Sequence, residues 1–286
     1  MVYLLLVSVI WAFSFGIIKD QLTSLDPNFV SFARLLIALV IFVPFLRPRG
    51  LSLPVIGRLL FLGMIQYGLM YITYIFSFRY LQAYQVALFT IFTPLYVTLI
   101  HDVLQGKLHR RFLISALLSV AGTAIIVFNT WQQVELRLGF FLLQISNICF
   151  AFGQIYYRQL MGRIEQRSDV SVFALLYLGA VLLTGMVSIF STDYSHINLQ
   201  SNQIYALLYL GILASGISFF LWNVGARQTN AGTLAVFNNL KIPLAVMVSL
   251  LFFGEQAHFI RLLAGGLVLL IALFMNQDKI RFRKTV

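Results

Sequence analysis

The sequence is poor in charged residues and in cysteine. Only 10% of its 286 residues are Asp, Glu, Lys or Arg, against about 25% in a typical soluble domain. The single cysteine, Cys149, lies in an apolar segment, so no intramolecular disulfide can form and the redox compartment is undetermined. Together with 60% hydrophobic residues and a mean hydropathy of +0.90, the low charge indicates a polytopic membrane protein.

Sequence signals of several other functions are also absent. The chain has no metal-ligand cluster, glycine-rich phosphate loop or lipidation motif, so we expect no metal and no cofactor. The apolar run from Val2 to Ile18 lacks a basic flank and a small-residue cleavage site, which predicts a retained first span and no signal peptide. The net charge of +11 fits the basic bias of cytoplasmic loops, and we expect no nucleic-acid partner.

Ten apolar segments are long enough to cross about 30 Å of hydrocarbon. They are residues 2–18, 29–46, 57–77, 82–101, 112–129, 138–157, 171–190, 203–222, 232–252 and 259–275. The connections are short, and the most polar of them is 191–202. The sequence therefore predicts an all-α polytopic membrane protein with ten transmembrane helices.

Basic residues are distributed unevenly between the two sides of the membrane. With both termini inside, fourteen Lys and Arg residues fall in the cytoplasmic connections and the C-terminal tail, whereas only Lys19, Arg79, Arg137 and Arg261 fall outside. This bias follows the positive-inside rule and predicts cytoplasmic termini. We expect a multi-pass protein of a bacterial inner (cytoplasmic) membrane, in contact with the lipid bilayer and either monomeric or homodimeric.

The two halves of the chain resemble each other in the order of their features. LFTIFTPLYVTLI in the first half corresponds to VFNNLKIPLAVMV in the second, with Pro94 and Pro243 separated by 149 positions, and Gly106 precedes Gly254 by 148. Five spans per half is an odd number, so the halves would sit inverted in the membrane, as in many secondary transporters. Chance alignment of two hydrophobic stretches is the alternative. We predict two inverted five-helix repeats, residues 1–131 and 136–286.

These features together resemble a known family. The ten spans, the first-helix sequence VIWAFSFGIIK, the early arginine in FARLLIALVIF and the ending KIPLAVMVSLLFFGE are similar to EamA-type members of the drug/metabolite transporter superfamily. The sequence departs from the pattern of this family at two positions. Ala12 stands where a glycine commonly follows the tryptophan, and Lys107 replaces the usual acid of the first repeat. The resemblance implies a small-solute carrier, often an exporter of amino acids or other metabolites, with a central cavity between the halves.

Lys241 is the residue that fits a membrane span least well. It lies nine residues after Gly232, where the ninth span begins, and so about 14 Å deep at 1.5 Å per residue. Snorkelling to a surface is difficult from that depth. No Asp or Glu falls inside a predicted span, so a neutral amine, backbone carbonyls or an anionic solute must satisfy Lys241. We predict that it binds a solute carboxylate; a structural lysine bonded to carbonyls is the alternative.

Two prolines occupy matching positions in the fourth and ninth spans. Pro94 and Pro243 each lack the N–H that would bond the carbonyl four residues back, which in the first half belongs to Thr90. We predict that each proline kinks its helix and frees a carbonyl, which protein or a cavity must then satisfy. Asn238 lies three residues before Lys241 and shares its face of the helix.

Other spans carry polar or aromatic residues at helical spacing. Arg34 lies about five residues inside the second span, where snorkelling or a structural pairing is as good an explanation as solute binding. Together with Lys241 and Asn238, the predicted substrate-binding residues are Trp11, Ser14, Arg34, Tyr67, Tyr71, Asn147, Gln154 and Trp222. Amides would hold the polar end of a solute, and aromatic rings would line an apolar wall or hold an ammonium group. For each residue taken singly, helix packing or an interfacial belt is the alternative.

The sequence favours a secondary transporter over the other classes of membrane protein. We predict alternating access around a midplane cavity containing Lys241, with an amino acid, a carboxylate or a related zwitterion as the solute and export as the direction. An uncoupled uniporter or exchanger is the runner-up. We expect no enzyme activity, because an intramembrane enzyme needs a nucleophile–base pair or metal ligands that the spans lack. A non-transporting scaffold would leave Lys241 without a reason.

Overall fold

The structure is a computed structural model, and it describes residues 2–106, 134–164 and 167–229 without a break. Beyond these it describes only residues 114, 118, 121, 234, 237, 238, 242, 244, 245, 248, 250–254, 260, 263–265, 267, 268 and 271. Lys241, Pro243 and most of the predicted fifth, ninth and tenth spans lie outside the described residues.

The described residues include seven helices that are long and apolar enough to cross a membrane. They are α1 (Val2–Leu22), α2 (Pro27–Phe45), α3 (Leu53–Ser77), α4 (Ala83–Leu104), α5 (Glu135–Arg163), α6 (Asp169–Ser191) and α7 (Ser201–Arg227). They correspond to predicted spans one to four and six to eight, so the prediction of an all-helical membrane protein is confirmed for the described part of the chain. The ends of α5 and α7 lie beyond the predicted 157 and 222, because hydropathy marks the hydrocarbon and a helix can continue past it.

Acidic residues lie near the ends of several of these helices. Helix α4 continues through Asp102, which is 4% exposed and lies 3.5 Å from His101. Asp20, Glu135 and Asp169 lie in the last turn of α1 and the first turns of α5 and α6. Because a helix can continue past the hydrocarbon, the expectation that no carboxylate lies at membrane depth stays a prediction.

Three of the helices contain π-helical segments. These are Ile18–Leu22 in α1, Met64–Leu69 in α3 and Leu210–Ile217 in α7. Such segments are uncommon and frequently occur at functional sites. The segments of α3 and α7 begin at residues 64 and 210, a separation of 146 positions that is close to the 148–149 offset of the proline and glycine matches.

The helices pack in a reciprocal pattern. Helix α2 contacts α6 and α7, while α6 contacts α2 and α3; likewise α1 packs on α7, and α5 packs on α3. If α1, α2 and α3 are paired with α5, α6 and α7, the α2–α7 contact corresponds to the α6–α3 contact and the α1–α7 contact to the α5–α3 contact. The α2–α6 contact corresponds to itself. A pseudo-twofold axis between two halves would produce this pattern.

Two ion pairs follow the same pattern. Arg79, just after α3, lies 3.9 Å from Asp26 at the start of α2, and Arg227, at the end of α7, lies 2.6 Å from Asp169 at the start of α6. Asp26 also caps α2, accepting from the backbone N–H groups of its first turn. Each pair ties one end of two helices from the same half.

Glycines allow α3 and α6 to approach closely. A Cβ on Gly63 would lie 1.8 Å from the Leu176 carbonyl oxygen, and one on Gly179 would lie 2.0 Å from that of Leu60. Small residues at such crossings are typical of membrane helix packing, where close backbone approach replaces the hydrophobic driving force. The α3–α6 contact places the polar residues of α3 within the bundle.

Candidate functional site

A cavity of about 60 Å³ lies where α1, α2, α3, α4, α5 and α7 meet. This volume has room for about four water molecules. Its wall contains seven polar and five apolar side chains: Ser14, Arg34, Tyr71, Tyr74, Thr90, Ser146 and Asn147, and Trp11, Phe15, Met70, Phe150 and Phe219. None of these residues is acidic, so the described part of the wall carries one positive charge.

Arg34 supplies that charge from α2. It is 2% exposed, its Nε donates to Ser215 Oγ at 3.3 Å, and its Nη2 donates to Tyr71 Oη at 3.1 Å. The Tyr71 and Ser215 hydroxyls bond each other at 2.7 Å, and Ser215 also donates to the Leu210 carbonyl at 2.7 Å. Hydrogen-bond donation therefore runs from Arg34 through the hydroxyls to a backbone oxygen. Because Arg34 is buried within the bundle, the snorkelling alternative is wrong.

One guanidinium nitrogen of Arg34 has no partner among the described residues. Nη1 is buried and makes no hydrogen bond to them, and no described carboxylate pairs with Arg34. A buried cation without a counter-charge is costly. An anionic group that reached Nη1 would remove this cost and gain a charge-assisted hydrogen bond.

The π-helical segment of α7 lies beside this guanidinium, and side chains from other helices bond its carbonyls. Tyr177 of α6 donates to the carbonyls of Ser215 and Gly216 at 2.6 and 2.9 Å, and the Trp11 indole N–H of α1 donates to that of Ala214 at 2.9 Å. A π turn changes the regular carbonyl partners, and in a membrane each carbonyl needs a donor from the protein. These aromatic donors join α7 to α6 and α1.

Helix α4 is interrupted directly before Pro94, by a 3-10 turn at Thr90–Phe92. The Thr93 N–H donates to the Thr90 carbonyl, so the Phe89 carbonyl has lost the donor that an α-helix would provide. The prediction that the Thr90 carbonyl is free is therefore wrong by one residue. The tighter turn uses that carbonyl and leaves the preceding one available.

Asn147 of α5 fills the place of the missing donor. Its Nδ2 donates to the Phe89 carbonyl at 3.0 Å and to Gln144 Oε1 at 3.1 Å. Gln144 Oε1 also accepts from the Tyr96 hydroxyl at 3.2 Å. These contacts join α5 to both sides of the break in α4 and bring Asn147 into the cavity wall.

A buried layer of amides lies among α3, α5 and α7, and its residues are not in the cavity wall. Gln66 Nε2 donates to Asn223 Oδ1 at 3.1 Å, and Asn223 Nδ2 donates to Tyr67 Oη at 2.8 Å. Amide and hydroxyl bonds of this kind hold membrane helices together. The Gln66–Asn223–Tyr67 contacts therefore join α3 to α7.

Gln154 is the centre of a second part of this layer. Its Oε1 accepts from Trp222 Nε1 at 3.0 Å and from Asn238 Nδ2 at 3.1 Å. All three residues are at most 1% exposed. The contacts connect α5 and α7 to a residue of the predicted ninth span.

The predicted binding residues thus divide into two groups. Trp11, Ser14, Arg34, Tyr71 and Asn147 line the cavity, whereas Tyr67, Gln154, Trp222 and Asn238 lie in the amide layer. The sequence reasoning missed Gln66 and Asn223, although an amide in an apolar run is a usable signal. It also missed Tyr177 and Phe219, for which an apolar span rich in aromatic residues offers no signal.

Comparison with known proteins places this architecture among transporters. The model of the EamA-like transporter family matches residues 1–128 and 137–277. The chain is 35% identical over 279 residues to the biotin transporters of Salmonella typhimurium and Escherichia coli, which covers 97% of this chain and 93% of each relative. It is also 35% identical over 280 residues to a probable biotin transporter of Pseudomonas aeruginosa, with 96% of both covered. A solved crystal structure has the same fold, with a TM-score of 0.73, 15% identity and 96% of both chains covered.

Proposed function

Because the chain belongs to the EamA-like transporter family, whose model matches both of its halves, we propose that it is a secondary transporter whose solute is biotin. The relatives are transporters by name, so the prediction that the chain is not an enzyme is confirmed. Multi-pass helices and bacterial relatives also support an inner-membrane protein. The observation that carries the choice of solute is the 35% identity over nearly the whole chain to transporters named for biotin.

Biotin replaces the amino acid that the family resemblance suggested. It is a carboxylate with an apolar chain and a cyclic urea, so it keeps the predicted carboxylate. The names of the relatives give no direction of transport, and export stays a prediction. So does the role of Lys241 as a second cation for the solute, since that residue lies outside the described part of the chain.

The cavity supports a solute of this chemistry. Arg34 Nη1 is an unused donor for a carboxylate, and aromatic rings form an apolar wall beside it. The Trp11 ring centroid lies 4.9 Å from that of Phe219 and 5.8 Å from that of Phe150, and the two phenylalanines are 5.7 Å apart. The apolar chain and thioether ring of biotin fit against such a wall.

The proposed transport cycle requires a site that moves. Alternating access predicts that the helices around the cavity separate when the solute enters. The π-helical segment of α7 lies at this place and depends on side chains from other helices for its carbonyl bonds, so it is a suitable hinge.

The two-repeat arrangement is the second part of the proposal. The reciprocal helix contacts, the matching π-helical segments and the two corresponding ion pairs support repeats at residues 1–131 and 136–286, inverted in the membrane with both termini cytoplasmic. The site then lies between the halves, because its wall combines α1–α4 with α5 and α7.

Biotin counterflow tests the proposal directly. Purified protein is reconstituted into liposomes loaded with unlabelled biotin, and the entry of radiolabelled biotin is followed against protein-free liposomes. We expect saturable, transient accumulation of label, which a pore would not give. Exchange of amino acids without exchange of biotin would show that the choice of solute is wrong, and a dependence on an imposed pH gradient would decide between proton coupling and an uncoupled carrier.

A further inference from the structure

We propose that Asn147 is an acceptor-only contact that selects solutes carrying an N–H donor, and that Gln144 positions it. The inference rests on the proposed transport of biotin, whose cyclic urea carries N–H groups, and it assigns the residue that recognises that end of the molecule. The cavity would then require two features of its solute: an anionic group at Arg34 and a neutral N–H donor at Asn147.

The orientation of the Asn147 amide follows from its partners. The Phe89 backbone carbonyl can only accept, so Asn147 must present its NH₂ group to it, as it does at 3.0 Å. The second Nδ2 hydrogen is used by Gln144 Oε1 at 3.1 Å. A flipped amide would place two acceptor oxygens against each other, which excludes the reverse assignment.

Gln144 has its own constraints. Its Oε1 accepts from both Asn147 and the Tyr96 hydroxyl, while its Nε2 points to the Phe89 carbonyl at 3.5 Å, which is long for a hydrogen bond. Rotating this amide by half a turn would set an NH₂ group against the Asn147 donor. Gln144 is outside the cavity wall, so it acts on the solute only through Asn147 and is a positioning residue.

What remains to Asn147 in the cavity is its Oδ1. Both of its hydrogens are used, it lies in the cavity wall, and no described residue donates to Oδ1. The neighbouring Thr90 hydroxyl also donates its hydrogen to a backbone carbonyl, that of Ala87 at 2.6 Å. This part of the wall therefore offers acceptors, whereas Arg34 offers only donors.

Such a site discriminates by leaving a polar atom unpaired. A solute that fills the cavity but has no N–H desolvates Oδ1 and supplies no partner for it, which costs about 10- to 100-fold in affinity. Lipoate, an apolar carboxylate without an N–H group, is such a solute. The alternative is that Asn147 only joins α5 to the break in α4. In that case its replacement would change the affinity for all solutes by the same factor.

The test is competition in the counterflow assay, with the apparent inhibition constants of biotin, lipoate and biotin methylated on both urea nitrogens. The measured quantity is the apparent inhibition constant of each analogue without an N–H group, divided by that of biotin. The natural chain should show a ratio of about 10 to 100. Asn147→Leu should bring the ratio close to one by weakening biotin alone, and Gln144→Met should lower it in the same direction while Asn147 is retained.

Matched controls keep the outcomes distinct. Gln66→Met removes a buried amide of α3 that is outside the cavity wall, and should leave the ratio as in the natural chain. A ratio near one in the natural chain, or an unchanged ratio in Asn147→Leu, overturns the selective contact while biotin transport stands. If Asn147→Leu does not fold, the ratio in Gln144→Met decides. Absence of biotin flux in the natural chain overturns both proposals.

Discussion

Replacing Arg34 with methionine isolates the contribution of the guanidinium to solute recognition. Methionine keeps an unbranched side chain but has no charge and no donor. The Tyr71–Ser215 hydrogen bond of 2.7 Å and the Ser215 bond to the Leu210 carbonyl do not depend on Arg34. The cavity wall should therefore keep its shape, and the change is confined to the group that would meet the carboxylate.

The expected loss follows from the contacts. A hydrogen bond to a charged group contributes about 1.5–3 kcal/mol, which corresponds to about a 10- to 150-fold rise in the apparent KM for biotin. Thermal stability should fall little or even rise, because the substitution removes a buried charge that has no carboxylate partner among the described residues and one nitrogen with no bond. The substitution should thus weaken binding without a matching loss of stability.

The assay compares biotin with biotin amide, which has a neutral carboxamide in place of the carboxylate. In the natural chain biotin should be preferred, and in Arg34→Met this preference should fall because biotin amide does not use the charge of Arg34. Arg34→Lys, which keeps the charge but not the planar fork, should be intermediate. A variant that still prefers biotin as strongly as the natural chain would refute the assignment of Arg34 as the carboxylate site.

Three further predictions concern other parts of the molecule. Lys241→Met should abolish carboxylate flux in proteoliposomes while the protein stays folded, and unchanged flux would exclude Lys241 from the site. Tyr177→Phe should lower the melting temperature in detergent, by about 1–2 kcal/mol of stability, because two carbonyls of the α7 π-helical segment lose their donor; an unchanged melting temperature would count against that role. Gly63→Ala should destabilise the protein by about 1–3 kcal/mol or more, since its Cβ would lie 1.8 Å from the Leu176 carbonyl oxygen. Gly57→Ala in the same helix serves as the control, because an added Cβ there has no atom within 4 Å. Equal melting temperatures of the two variants would contradict the prediction.

Local patterns predicted the helices and part of the site. Apolar runs located seven of the spans because burial in hydrocarbon requires a continuous hydrophobic segment. The spacing of Gln144, Asn147 and Gln154 placed them on one face of α5, and all three are buried there. The repeat of proline and glycine positions led to the two-repeat proposal, which the reciprocal helix contacts support.

Contacts between distant segments could not be predicted in this way. Gln66 and Asn223 are 157 positions apart and bond each other, and no periodicity within either helix indicates the partner. The division of the predicted residues between cavity wall and amide layer has the same origin, because Asn147 and Gln154 share a face of α5 and differ only in what the neighbouring helices bring to them.

The sequence by itself determined that the chain spans a membrane as a bundle of helices and that polar residues lie within it, because both depend on hydropathy and spacing along one segment. It placed Arg34 inside a span but left open whether that charge reaches the membrane surface or a solute. Only the tertiary structure decided that the charge does not reach the surface, by burying the guanidinium against Tyr71 and Ser215 and leaving Nη1 without a hydrogen bond among the described residues. The physical reason is that the environment of a buried charge is made by other helices, and their arrangement is not encoded in the segment that carries the charge.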